Sequence, residues 1–540
     1  MKMTRRTLLA YSAITPLALM SIRVGGARAE GMVLHRGNGA APQTLDPHLN
    51  FGARDAYIQD DLYDGLVGYG QDGQIVGSAA GSWDISDDGR VYTFHLRENL
   101  KWTDGTPIVA QDFVNGLIRT LDPATASDKA YYFSSTIQVT NAGAFTNGEI
   151  TDPALVGFAA PDDRTVVMTL DNPAPHAIWI LTSFQSSPLH KPSFEQYGTE
   201  FVQAGKLVGN GPYTLTELVP QSHLVLKKNP HYWDAANVKI DEVWYHVTED
   251  MSAATKRYLA GELDVTVDAI PDEVEKLIAA GSIAADEYHV APNIDGYYYS
   301  FNITKKPFDD VRVRQALSMT IDREVLQEKI LKSGYPPAYS MVPPGVDPAY
   351  PGAAVKEKGM SHDDRVAAAQ KLMAEAGYGP DSPLKAVLLA TNDNDEKKKA
   401  TAVAIMWKKA LGVEIDLQFQ EYQAWLDGFY AGTWDIFGDT IVADFAGAES
   451  YLSYMKPSAE AGYNWKNDKY EELMNQAAAT PDVTARNTLL AEAEQILLDD
   501  YLIAPISGGA TRQLVKPYVK GWIDNVIQFH ASRFLWVEKA

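Results

Sequence analysis

The sequence predicts an α/β protein with more than one lobe. Without its leader, described below, the chain is longer than a single core usually supports. Its second half contains a strand–helix–strand succession of the kind that builds a parallel sheet. Neither an internal repeat nor a low-complexity linker separates the lobes, so the chain is expected to cross between them several times.

The leader comes first. Lys2, Arg5 and Arg6 precede the uncharged run Thr7–Ile22, and Ala27-Arg28-Ala29 supplies small residues at the two positions a signal peptidase reads. Basic, apolar, then A-x-A is the order of a secretory signal, expected over residues 1–29. The run spans sixteen residues, short of the roughly 20 a membrane-spanning helix requires. Thr4-Arg5-Arg6-Thr7-Leu8-Leu9 also resembles a twin-arginine export address, so general secretion and the twin-arginine route both stay open. The chain has no cysteine, which excludes a lipid anchor on cysteine, disulfides and thiol catalysis.

Taking the five basic residues of that segment from 47 leaves 42 against 70 acidic residues, a net charge of −28. So acidic a chain repels phosphate backbones and anionic headgroups, which argues against nucleic acid and membrane surfaces as partners. The longest uncharged stretch beyond the leader, Asn172 to His190, is broken by Pro173, Pro175 and Pro188 and does not read as a membrane span. Hydrophobic residues at 46% and charged residues at 22% match an ordinary soluble protein.

Individual elements follow from periodicity. Val91 to Arg97 alternates and is rich in β-formers, predicting a strand entered through the turn Asp87-Asp88-Gly89. Lys101-Trp102-Thr103-Asp104-Gly105-Thr106-Pro107 is turn chemistry leading into a helix, Ala110 to Leu121, with Phe113, Val114, Leu117, Ile118 and Leu121 at helical spacing. Ser361-His362-Asp363-Asp364 resembles a capping box for a helix that ends at Gly377. Lys385–Thr391 and Val413–Phe419 are short apolar strands flanking a helix over Lys397–Leu411, a βαβ unit.

Several chemical signatures fail on inspection. Gly68-Tyr69-Gly70-Gln71-Asp72-Gly73 fits G-x-G-x-x-G, but a hairpin turn stands where a dinucleotide site needs a helix N-terminus. Asp84, Ser86, Asp88 and Gly89 imitate a calcium loop, yet its twelfth position is His95 rather than glutamate. Ser453 and Lys456 fit the S-x-x-K of penicillin-recognising enzymes without the companion motifs, leaving a secreted serine hydrolase as a weak rival. No two histidines stand at i, i+4, and no methionine or histidine cluster suggests a metal. The sequence predicts no enzyme and no cofactor.

The segments Trp83 to Arg97 and Lys101 to Val114 together resemble the signature block of the large peptide-binding proteins. These are extracytoplasmic receptors of ABC importers for di- and oligopeptides, nickel and related solutes. Further matching segments run the length of the chain. They include Asp61-Leu62-Tyr63-Asp64-Gly65-Leu66, Asn210-Gly211-Pro212-Tyr213, Asn229-Pro230-His231-Tyr232-Trp233 and Pro307-Phe308-Asp309-Asp310-Val311-Arg312. Within the family the resemblance is nearest to oligopeptide receptors, at Asp122-Pro123-Ala124-Thr125-Ala126-Ser127 and Leu514-Val515-Lys516-Pro517-Tyr518. Individually Trp83 and Trp102 read as core aromatics, and Gly89 and Gly105 as turn residues.

The resemblance implies a three-domain periplasmic binding protein: two mixed α/β lobes joined by a hinge, plus an inserted extra domain. The expected divisions are domain I at 30–72, 198–295 and 507–540, the insertion at 73–197, and domain III at 296–506. Crossings near 290–298 and 503–510, the latter holding Gly508 and Gly509, form the expected hinge. The implied role is that of a monomeric periplasmic receptor that binds a small peptide and delivers it to an inner-membrane ABC permease with its ATPase subunits. A receptor for an amine-bearing opine, sugar or chelate is the alternative within the family.

The resemblance also implies a site. Asp444, in Thr440-Ile441-Val442-Ala443-Asp444-Phe445, falls where an aspartate pairs with the ligand's α-ammonium group. A carboxylate buried between closing lobes is costly unless it meets a cation. Gly52, Ala443 and Phe445 join it as expected ligand neighbours. Positions where the family's basic residues meet the peptide carboxylate are occupied by Phe429, Gly438 and Glu396, none able to hold a carboxylate by charge. Lys305 remains at a fourth such position, and the family's tryptophan is replaced by Ile441 or Val442.

Overall fold

Three sheets organise the chain in the computed structural model, which describes residues 31–540 other than 51, 333, 348, 457–462, 464 and 540. The expected signal peptide lies outside the described residues.

The first sheet has four strands in the order Val33–Gly39, Glu242–Val247, His223–Lys228, Tyr213–Val219. The second is antiparallel, in the order Ala80–Ile85, Val91–Leu96, Thr165–Thr169, Phe158–Asp162. The strand expected from Val91 is its second member. Tyr92, Phe94 and Leu96 point into the core while Thr93 and His95 point outward, the pleat's two-residue period. Helix Ala110–Leu121 covers this sheet and buries Phe113, Leu117 and Leu121. Trp102 is buried as expected, and Trp83, opposite Phe94 on the core face, packs against the same core while staying only half-covered. Gly70 to Gln74 forms the hairpin turn between Val67–Tyr69 and Ile75–Gly77, so the G-x-G-x-x-G match has no helix behind it.

The third sheet carries the α/β signal. Its order is Glu414–Gln420, Lys385–Thr391, Ile436–Val442, Tyr288–Phe301, Ile503–Leu514. Lys385–Thr391 runs parallel to both neighbours, and helix Asn394–Leu411 makes the crossover. That helix begins three residues before the expected start because Asp393 caps it, accepting from the Glu396 amide at 2.9 Å. Trp407 fixes it to the body, fully buried and donating from Nε1 to the Leu317 carbonyl at 2.9 Å. The helix expected from Ser361 is also present, His362–Glu375, with the Ser361 hydroxyl accepting from the Asp364 amide at 3.1 Å.

The crossings expected near 290–298 and 503–510 are the two longest strands of the molecule's described residues, paired antiparallel from Tyr288↔Leu514 to Ser300↔Ile503. Their register slips between Pro292 and Gly296. In the bulge, Asn293 accepts from the Asp295 amide at 2.9 Å and donates to the Asp295 carboxylate at 2.8 Å. Such a bulge re-aims side chains, and here it turns Asp295 toward two cavities. Among the described residues no helix is long and apolar enough to cross a membrane.

Candidate ligand-binding site

The end of strand Ile436–Val442 and its continuation set the site out by simple alternation. Ile441, Ala443 and Phe445 are buried, whereas Thr440 and Val442 are exposed and Asp444 is partly so. One face therefore presents Thr440, Val442 and Asp444, about 13 Å from first to last at strand rise. Val442 registers opposite Asp295 on the neighbouring strand.

Two cavities flank this line. The larger, about 430 Å³, is lined by Tyr57, Asp60, Asp64, Asp295, Val442 and Arg533, among others. The smaller, about 210 Å³, is lined by Asp295, Tyr297, Glu396, Lys399, Thr440 and Gly509, among others. Asp295 belongs to both. Burial raises its pKa. Burial and the adjacent Asp61 push Asp60 up to about 8. Asp64 is differently placed, paired with Arg533 at 2.5 Å and accepting from Trp233 Nε1 at 3.0 Å.

Asp444 is held by side chains from a segment remote in sequence. Its Oδ1 accepts from Tyr131 Oη at 2.9 Å and Tyr132 Oη at 3.0 Å, and Lys129 Nζ lies 3.9 Å away. The Asp444 amide donates to Ser450 Oγ at 2.8 Å. The carboxylate thus already has one internal cation nearby. Burial and the Asp444 charge raise both tyrosines well above the ordinary phenol range, so they stay protonated donors.

The other expected residues do not gather around Asp444. Phe445 points into the core formed mainly by residues 66–181, stacked on His176 and Trp179, and Ala443 is likewise buried. Gly52 caps helix Ala53–Leu62 beside the larger cavity, with open space where a side chain would stand. Phe429 is a core residue packed on Trp434 and Phe437. Gly438 sits mid-strand, where a Cβ would meet Tyr297 Oη at 2.5 Å. Lys305 reaches the Trp434 carbonyl at 3.0 Å and Asp435 at 3.8 Å, and lines neither cavity. Glu396 does line the smaller cavity, accepting from Tyr297 Oη and pairing with Lys399 at 2.5 Å. Lys399 also lies over the Tyr297 ring, 3.2 Å from its centroid.

The family description "Bacterial extracellular solute-binding proteins, family 5 Middle" matches residues 74–492. The chain belongs to this family. Among curated family 5 proteins, it is 36% identical to the periplasmic murein peptide-binding protein MppA of Escherichia coli, covering 98% of both chains. It is 35% identical to the periplasmic oligopeptide-binding protein OppA of the same species, covering 96% of both. Solved family 5 structures agree. The unliganded open form of the murein tripeptide-binding protein MppA superposes with a TM-score of 0.85 at 36% identity, covering 94% of this chain and 98% of that one. Haemophilus influenzae OppA in complex with RPPGFSPFR superposes with a TM-score of 0.75 at 32% identity, covering 94% and 99%.

Sequence reasoning missed several residues around Asp444 and the two cavities. Tyr131, Tyr132 and Lys129 lie more than 300 residues from Asp444 with no local pattern linking them. Lys399 stands one helical turn after Glu396, a spacing that was readable as an ion pair. Cross-strand register brings His223 against His246, and His35 Nδ1 lies 3.0 Å from His246 Nε2, on the outer face of the first sheet. Among the described residues, however, no group of three or more potential ligands is placed to hold a metal.

Proposed function

We propose that this chain is a monomeric periplasmic receptor that captures small peptides and presents them to an inner-membrane ABC permease with its ATPase subunits. A cleaved leader, by the general or the twin-arginine route, delivers it there. The observation that carries the reading is the face Thr440, Val442, Asp444, which runs beside both cavities and ends on a carboxylate. A peptide laid along that strand would place its α-ammonium group at Asp444. The names of MppA and OppA, which specify murein peptides and oligopeptides, support peptides as the solute class.

The same reading takes the three-domain division with boundaries near 72, 197, 295 and 506, and the bulged crossing strands as the hinge. Another relative, 33% identical over 99% of both chains, is named a probable deoxycholate-binding periplasmic protein. Carboxylates at Asp295 and Glu396 disfavour so large an anion here. The reading assigns no catalytic role to Ser453 or Lys456.

Native mass spectrometry of protein taken from the periplasm, followed by calorimetric titration with tri- and tetrapeptides, tests it. Peptide masses on the native protein and saturable binding are expected. A bile acid or sugar mass, with no peptide binding, would overturn the reading.

A further inference from the structure

The cleft's charges are unevenly matched. In the larger cavity, Arg533 is committed to Asp64 at 2.5 Å, and Arg36 is turned away onto the His530 carbonyl at 2.8 Å and Ser532 at 3.0 Å. In the smaller cavity, Lys399 is committed to Glu396 at 2.5 Å. Asp393 is spent on its helix cap, and Asp395 faces Lys398 at 4.0 Å. Arg512 lies behind Tyr335 and is tied to Asp268 at 3.4 Å. Asp295 and Asp60 are left over. Among the described residues, neither has a Lys, Arg or His nitrogen within 4.0 Å, and Asp295 has only the Asn293 amide as a side-chain partner. The polar groups beside them are occupied with one another: Thr511 donates to Gln528, which donates to the Pro292 and Asn525 carbonyls.

We propose that the cleft accepts a ligand bearing a second cationic group, a lysine- or arginine-type side chain or an equivalent amine, received by Asp295 with Asp60 across the same cavity. The proposal rests on the peptide reading for the position of that group. Val442, opposite Asp295, lies two residues before Asp444, about 7 Å along the strand. A peptide anchored by its amine at Asp444 therefore brings its second or third side chain to Asp295. An unpaired carboxylate closed into a cavity loses its hydration without recompense, and an incoming cation supplies the missing partner. Glu396, already paired with Lys399, stands where the family resemblance places a base for the ligand carboxylate and offers that end of a ligand no positive charge. A cation arriving beside Asp60, now held protonated near neutrality by burial, also expels a proton.

The test is a set of tetra-alanine peptides carrying lysine or its neutral near-isostere norleucine at positions two, three or four, titrated calorimetrically into the full-length exported protein. The expected result is a lysine peptide binding at least about tenfold tighter than its norleucine counterpart at position two or three. The Asp295→Asn variant should bind the two alike. Proton release, read from enthalpies in buffers of different ionisation heat, should accompany the lysine peptide alone. Equal affinities for lysine and norleucine on the wild type, a comparison needing no variant, would overturn the proposal. So would a lysine advantage that survives Asp295→Asn. If no peptide binds, spermidine and agmatine separate the two failures. Amine binding weakened by Asp295→Asn keeps the cation site and discards the peptide reading, and no amine binding discards both.

Discussion

The rings of Phe445 and His176 lie 3° from parallel with centroids 5.3 Å apart, and Trp179 covers Phe445 at 5.7 Å. His176 Nδ1 lies 3.1 Å from Glu449 Oε2, so the turn after Asp444 is pinned at two points. Phe445→Ala should destabilise the protein by about 3–5 kcal/mol, the usual loss for a buried phenylalanine. Denaturant unfolding measures it. Affinity should fall as well, because Asp444 loses its backing, whereas Phe445→Leu should retain most of both. An unchanged stability would mean that the stack does not hold the turn.

Asp444→Ala leaves a bound ammonium without its counter-charge, and truncating one partner of such a pair costs about 2–5 kcal/mol. Peptide affinity should fall about thirtyfold or more. N-acetylating the peptide should weaken wild-type binding similarly and the variant little, since both changes remove one contact. Amidating the far end should matter much less. Wild-type affinity in Asp444→Ala would leave Tyr131, Tyr132 and Lys129 as the carboxylate's whole purpose.

Glu396→Gln strips Lys399 of its partner in a nearly closed environment. Breaking one side of a buried pair costs about 3–5 kcal/mol, here lessened by the Tyr297 ring beneath the amine. The double change Glu396→Gln with Lys399→Met should recover most of the loss in urea unfolding. Additive losses would show that the two groups act independently.

Gly509 stands where a Cβ would come 2.0 Å from Asn293 Oδ1 and 2.6 Å from Asp295 Cβ. Gly509→Ala should therefore disturb the bulge and lower peptide affinity by about tenfold. Gly508→Ala meets only Pro336 and Pro343 at 3.3 and 3.4 Å and should do less. Calorimetric titration of both variants checks the order.

Burial lowers the pKa of His48 from 6.5 to about 4, and the neutral ring accepts from Arg119 at 2.6 Å and meets the Ser187 carbonyl at 3.0 Å. In the unfolded chain the ring takes up a proton nearer pH 6.5. Its stabilising share is thus full above that pH and is lost as pH falls from 6.5 toward 4, about 3 kcal/mol in all. The stability difference between wild type and His48→Gln, from thermal unfolding, should shrink over that window. A constant difference would place the proton elsewhere.

How much of this was legible depended on distance along the chain. Val91–Leu96 and Ala110–Leu121 were readable because their apolar residues recur at local periods. Asn394, Asp395 and Glu396 were not, because a polar first turn held by Asp393 carries no apolar signal. Asp444 rests on the family resemblance, not on a local pattern. Thr440 and Val442 could have been read beside it from strand alternation alone. Asp295 and Asp60 were beyond reach, since a bulge and the burial of a neighbouring helix decide what they face. His35, His223 and His246 were missed because a search along one helix does not see across strands.

The crossing strands also set a timetable for the molecule's making. Ile503–Leu514 pairs with a strand begun at Tyr288, and Arg36 finds its acceptors at His530 and Ser532, almost five hundred residues later. Contacts so remote in sequence form slowly, because a long loop must close before they repay it. A nascent chain emerging from the ribosome therefore keeps its third sheet incomplete until its last few dozen residues are free, and for that interval that part of the chain remains threadable.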